Sequence, residues 1–213
     1  MMTEPDVALT DYGLAIESAV FAFLIYRRGI RGQPLRTWFM VFFGSISLAS
    51  LAGGTVHGFF NDEQAAVYAI LWPATLIAIG LTALAAWTIG ACLLFSPKIV
   101  RWITAAALVE FAGYSACVLL LTDEFWIAVA IYVPAAVFLL IALVGKYRRA
   151  QDREIVIGIA GLFLTFVAAA VQQAEIPLHP AYFNHNAFYH LIQGVALFML
   201  FWTARFLTGE RKA

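Results

Sequence analysis

The sequence predicts an all-α, polytopic membrane protein: a single bundle of seven transmembrane helices, N-terminus outside and C-terminus in the cytoplasm. Three observations carry this. Of 213 residues, 63% are hydrophobic and 12% charged, with a mean hydropathy of +0.85, whereas a soluble domain carries roughly 25% charged residues. Charges, glycines and prolines cut the chain into seven apolar runs, each close to or above the ~20 residues a helix needs to cross a bilayer. Finally, the basic residues fall only in alternate connections.

The first run, 9–27, follows an acidic stretch, Thr3-Glu4-Pro5-Asp6, and lacks the basic leader and cleavage signal of a signal peptide, so it reads as a retained span. It carries Glu17, with Asp11 at its mouth. The second run, 36–60, ends in Gly53-Gly54-Thr55-Val56-His57-Gly58, and its small residues suit close helix approach in a membrane. The third, 65–95, is long enough to tilt or to kink at Pro73. The fourth, 99–121, holds Glu110, and the fifth, 125–146, should bend at Pro134. The sixth, 154–174, ends in Gln172-Gln173. The seventh, 184–207, follows His179-Pro180 and opens with Asn184-His185-Asn186, with His190 and Gln193 further in. Cys92 and Cys117 lie inside runs and read as small buried hydrophobes. No second domain, insert or repeat is evident, and the short connections predict antiparallel neighbours in one bundle.

Arg27, Arg28, Arg31 and Arg36 follow the first run, Lys98 and Arg101 the third, and Lys146, Arg148, Arg149 and Arg153 the fifth; the tail adds Arg205, Arg211 and Lys212. The alternate connections hold Asp62-Glu63, Asp123-Glu124 and Glu175 and no Lys or Arg. The positive-inside rule then sets the orientation. Trp38, Trp72, Trp126 and Trp202 sit toward run ends, where amphipathic rings settle. Short loops suit a bacterial inner membrane.

Lys+Arg and Asp+Glu balance at 13 each, so no global field favours nucleic acid. Ionisable groups inside a membrane are costly and mark function; here they are Glu17, His57, Glu110 and His190. Depth along each run places Glu17, His57, His190 and Gln172-Gln173 in the outer third, with Glu110 near the middle. Ser50 and His57 are two turns apart on one face, as Asn186 and His190 are one turn apart. His185 and His190 lie about 140° apart around a helix, so they share a ligand only if helix seven starts after His185.

Seven helices, an outside N-terminus, His57 near the end of helix two and His185 and His190 opening helix seven resemble the superfamily of alkaline ceramidases and progestin/adiponectin-type receptors. The resemblance implies a zinc ion held by His57, His185 and His190, with Asp62 as the acidic residue after helix two, and hydrolysis of a lipid amide or ester by zinc-activated water. The chain departs from the family at three places: the serine expected four before His57 is Gly53, with Ser50 a turn further away; the helix-seven pair is five rather than four apart, Asn186 standing at the four-apart position; and Asp62 follows His57 more closely than the family pattern has it. In this reading Glu17 or Asp62 acts as general base, Ser50 or Asn186 polarises the oxyanion, and the partner is a membrane lipid. Two other readings remain: a sensor or small-ligand-binding protein without metal, whose histidines titrate near neutral pH, and a single-haem protein with His57 and His190 as axial ligands. A retinal protein is excluded, because Lys98, Lys146 and Lys212 all lie outside helix seven.

Overall fold

The computed structural model describes residues 2–179 and 182–209. Seven α-helices follow one another: α1 (Pro5–Arg28), α2 (Pro34–Phe59), α3 (Tyr68–Leu94), α4 (Pro97–Leu120), α5 (Phe125–Ala150), α6 (Arg153–Gln173) and α7 (His185–Thr208). All seven are long and apolar enough to span a membrane. Pro180, Arg211 and Lys212 lie outside the described residues.

Local chemistry sets the helix boundaries. Pro5, Pro34 and Pro97 open α1, α2 and α4, where the missing N–H has no helical partner to lose and the fixed φ suits a first turn. α1 therefore starts four residues before the apolar run does, with Asp6 in its first turn against the positive helix end. α5 runs past Lys146 to Ala150 and stops at Gln151, which takes a left-handed conformation (φ 58°). α7 starts at His185, because the Asn184 side chain accepts the Ala187 N–H at 3.0 Å as an N-cap. His185 is thus already helical, and a helix starting after it is not what forms.

α3 is the central helix. It packs on α2, α4 and α5, while α1 joins α2 and α7, and α6 joins α5 and α7. The expected succession of neighbours breaks once: α5 returns to α3 rather than packing on α4. The cause is visible on α3, where a Cβ on Gly90 would lie 2.7 Å from the Phe138 ring, so only a glycine there lets α5 close in. α4 is peripheral and buries only Ala107, Tyr114 and Val118; the Tyr114 hydroxyl anchors it by donating to the Leu76 carbonyl at 2.8 Å.

The two ends of the bundle differ. The connections α1–α2, α3–α4 and α5–α6 and the C-terminus lie at one end and carry the arginines; the N-terminus and the other connections lie at the histidine end. Toward the arginine end the core is filled by phenylalanine: Phe21 stacks on Phe201 (centroids 4.2 Å apart) and meets Phe43 edge-on at 5.5 Å, with Phe42 against Phe43 at 5.3 Å. Such rings each bury 150 Å² or more. At the histidine end Trp72 gathers Tyr68, Phe125 and the His57 ring at 6.0–6.4 Å between centroids, and a cavity lies beside this group.

Candidate functional site

The site starts from the N-terminal residues. The Thr3 N–H donates to the Gly58 carbonyl (3.0 Å) and the Glu4 N–H to that of His57 (3.2 Å), which satisfies two carbonyls that the end of α2 would leave open. The Glu4 carboxylate then meets His57 Nδ1 at 2.6 Å. Asp6 accepts the Asn184 N–H at 2.9 Å. The start of α1 thereby pins the end of α2 and the start of α7, the two helices that carry the site histidines.

One turn deeper, Thr10 Oγ1 lies 2.8 and 2.9 Å from the Asp6 and Val7 carbonyls and 3.0 Å from His190 Nδ1. A hydroxyl has one proton, and carbonyl oxygens only accept; Thr10 therefore donates to its own helix and accepts from Nδ1–H. That leaves His190 Nε2 facing Asp11 Oδ1 at 3.4 Å, with Asp11 buried and His190 half-buried. Two bare acceptors at that separation repel, so this contact is favourable only when the pair carries a proton.

These groups face a cavity of about 340 Å³ lined by every helix except α4. Asp11, Ser50, His57, Asn186, His190 and Gln193, with Gln172 and three threonines, form its polar part; Trp72, Phe125, Tyr132, Tyr189 and aliphatic side chains form the rest. Several polar atoms are uncommitted. Gln193, 6% exposed, donates to Thr165 at 3.5 Å, but its Oε1 is buried without a partner among the described residues. His57 binds Glu4 through Nδ1, so its free nitrogen is Nε2. Among the described residues no Lys or Arg lines the cavity.

Of the residues singled out from sequence, Ser50, His57, Asn186 and His190 meet in this cavity, and Gln172 joins them by donating to Asn186 Oδ1 at 3.3 Å. Glu17, Asp62 and His185 do not line it. Glu17 lies six residues after Asp11, about 240° around the helix, and its Oε2 sits over Gly194 of α7 instead. Asp62 is exposed in the α2–α3 connection, where it accepts the Gln64 N–H at 3.0 Å. His185 is out of phase with His190 on the same helix. Glu110 is on the exposed side of α4, and His179 is exposed, its ring stacked on Tyr182. Glu4, Thr10, Tyr132 and Tyr189 were not anticipated. Asp11 was placed at the mouth of helix one; with α1 starting at Pro5 it lies about 9 Å along the axis.

The zinc expected from the resemblance meets half of what it needs. A ligating imidazole donates its other ring N–H to an oxygen, as His57 and His190 do. A catalytic zinc needs three protein ligands, and among the described residues no group of three or more His, Cys, Asp or Glu side chains is placed to hold a metal ion. The trio His57, His185 and His190 is not assembled, so the residues do not fit that metal. Haem ligation by His57 and His190 would require Nε2 of His190 to leave Asp11.

No curated protein and no solved structure matches this chain. One family model, described as a family of unknown function (DUF6962), matches residues 7–208, which takes in all seven helices apart from the first two residues of α1. The chain belongs to that family.

Proposed function

We propose that this seven-helix membrane protein binds a small amphipathic molecule in the cavity at its histidine end, the end that the charge pattern puts outside, and that it works as a ligand-binding or sensing protein. One observation carries the reading: six helices converge on a cavity of about 340 Å³ whose polar groups are positioned by one another yet partly uncommitted. Ligand sites are concave, mostly apolar and carry a few convergent polar groups, from about 300 Å³ upward. A ligand with a hydrogen-bond donor would satisfy Gln193 Oε1 and His57 Nε2, and an apolar portion would pack on Trp72 and Phe125. Val133 lines the cavity and is 38% exposed on the bundle surface, which gives an apolar chain a route to lipid.

A lipid hydrolase is the second reading, favoured by a specific contact. Glu4 holds His57 in the orientation of a general base, as a carboxylate does for a catalytic imidazole, and Ser50 and Asn186 line the same cavity. That chemistry would run without zinc on the ligand set considered above.

The test is mass spectrometry of small molecules retained by the purified protein, compared with Gly53→Leu. Gly53 lines the cavity, and a Cβ there makes only ordinary contacts, 3.5 Å from Thr75 and 3.7 Å from Asp11 Oδ2, so a larger side chain takes up cavity volume; thermal unfolding of the variant checks that it still folds. A retained species present in wild type and lost in the variant supports binding. The same species in both, or none in wild type extracted from native membrane, sinks it.

A further inference from the structure

A second notch lies at the opposite end of the bundle, where α1 and α7 finish. It encloses about 190 Å³ and is lined by Arg28, Arg205 and Thr208 over a floor of Leu24 and Ile25. The fold brings two arginines from the two ends of the sequence to line one notch, and no carboxylate among the described residues lines it. Among the described residues the ion pairs are His57–Glu4 and His190–Asp11, so neither arginine has an acidic partner there. Arg205 is steadied by lying over the Trp202 ring, 5.6 Å from its centroid.

Two like charges in one notch repel unless an opposite charge lies between them. Here they cannot simply drift apart with their helices, because the ends are stapled: the Ile30 N–H donates to the Thr208 carbonyl at 2.9 Å, and Gln33 Nε2 to the Leu207 carbonyl at 3.1 Å. Both helices present their C-terminal, negative ends, which works against an anion. That opposition is blunted, since the Ile25, Arg205, Leu207 and Thr208 carbonyls all accept an N–H. Along α7, Phe198 and Trp202 stand exposed, 50% and 42%, seven and three residues before Arg205. They form an apolar strip leading from the notch down the lipid-facing side of the helix.

We propose that the Arg28–Arg205 notch binds the phosphate of an anionic lipid headgroup, with an acyl chain lying along Phe198 and Trp202. Arginine suits this role because its planar fork meets phosphate oxygens two at a time, and basic pockets between span ends are the sites such headgroups use.

The test titrates detergent-purified protein with phosphatidylglycerol, phosphatidylcholine and inorganic phosphate, and counts bound states by native mass spectrometry. Wild type is compared with Arg28→Gln/Arg205→Gln and with a control at the same end, Lys98→Gln/Arg101→Gln. One phosphatidylglycerol should be held preferentially. Its affinity should fall about tenfold or more in the notch variant, the factor expected for losing a hydrogen bond to a charged group, and stay unchanged in the control. Should the double variant not fold, each single variant is expected to show part of the loss. Equal retention of the two lipids, or an equal loss in both double variants, overturns the proposal, because only general charge attraction would remain. Displacement of the lipid by inorganic phosphate at equal concentration overturns the lipid assignment and leaves a free-phosphate site.

Discussion

Glu4 Oε2 lies 2.6 Å from His57 Nδ1, so a residue just ahead of the first helix fixes the tautomer of a histidine at the end of the second. The contact reaches 53 positions along the chain, and the backbone bonds from Thr3 and Glu4 to α2 hold it in register. Its consequence is an imidazole whose Nε2 is left free for whatever enters the cavity.

Glu4→Ala should therefore change chemistry more than stability. Both side chains are partly exposed, 34% and 25%, so the pair contributes roughly 0.2–1 kcal/mol. The sharper readout is ¹⁵N NMR of the histidine rings: wild type should show His57 protonated at Nδ1, and the variant should lose that preference. A wild-type His57 found mainly as the Nε2–H tautomer would contradict the geometry.

Asp11 and Glu17 make opposite predictions from similar chemistry. Asp11 is 6% exposed and faces His190, so Asp11→Ala leaves a half-buried ring nitrogen without its partner, at a cost of about 1 kcal/mol or more. It should also weaken retention of any cavity ligand. Glu17→Gln should leave ligand retention unchanged, since Glu17 packs over Gly194 away from the cavity. Thermal unfolding in detergent and ligand retention together decide; equal effects of the two substitutions would mean the cavity is wrongly drawn.

Close packing of α1 on α2 predicts a contrast between two glycines. A Cβ on Gly54 would sit 2.8 Å from Asp11 Cβ and 3.2 Å from the Ala8 carbonyl, whereas one on Gly13 meets nothing within 4 Å. Gly54→Ala should destabilise by about 1–3 kcal/mol through overpacking. Gly13→Ala should be neutral or stabilise by up to about 1 kcal/mol, the helix-propensity difference. The melting midpoints of the two variants should move in opposite directions or differ clearly in size.

Metal analysis separates the cavity reading from the zinc one. Purified protein should carry well under one equivalent of zinc, and His57→Ala should not change that figure, because three ligands are not assembled. One equivalent in wild type that disappears in His57→Ala would restore the zinc-dependent hydrolase.

Much of the fold was legible because membrane helices are written in composition. A span must be about 20 apolar residues long whatever it packs against, and seven such runs are plain, with arginines marking every second connection. Boundaries were blurred by a turn where polar residues are helical, as at Pro5–Asp6 and Lys146–Ala150. At the site, Ser50 with His57 and Asn186 with His190 were legible as pairs, since residues three, four or seven apart share a face of one helix.

What the sequence by itself determined, then, is the apolar length of each span, the number of helices and the polar residues that lie within them. Only the tertiary structure decided which of those residues meet. Depth favoured Glu17 and left Asp11 at the mouth of helix one, because depth can be counted along a chain while the angle at which a helix faces its neighbours cannot. That angle is set by packing: the approach of α1 to α2 at Gly54, and the return of α5 to α3 at Gly90 in place of α4. The same packing turned Asp11 toward His190, left His185 out of reach, and brought Arg28 and Arg205, from opposite ends of the sequence, to a single notch.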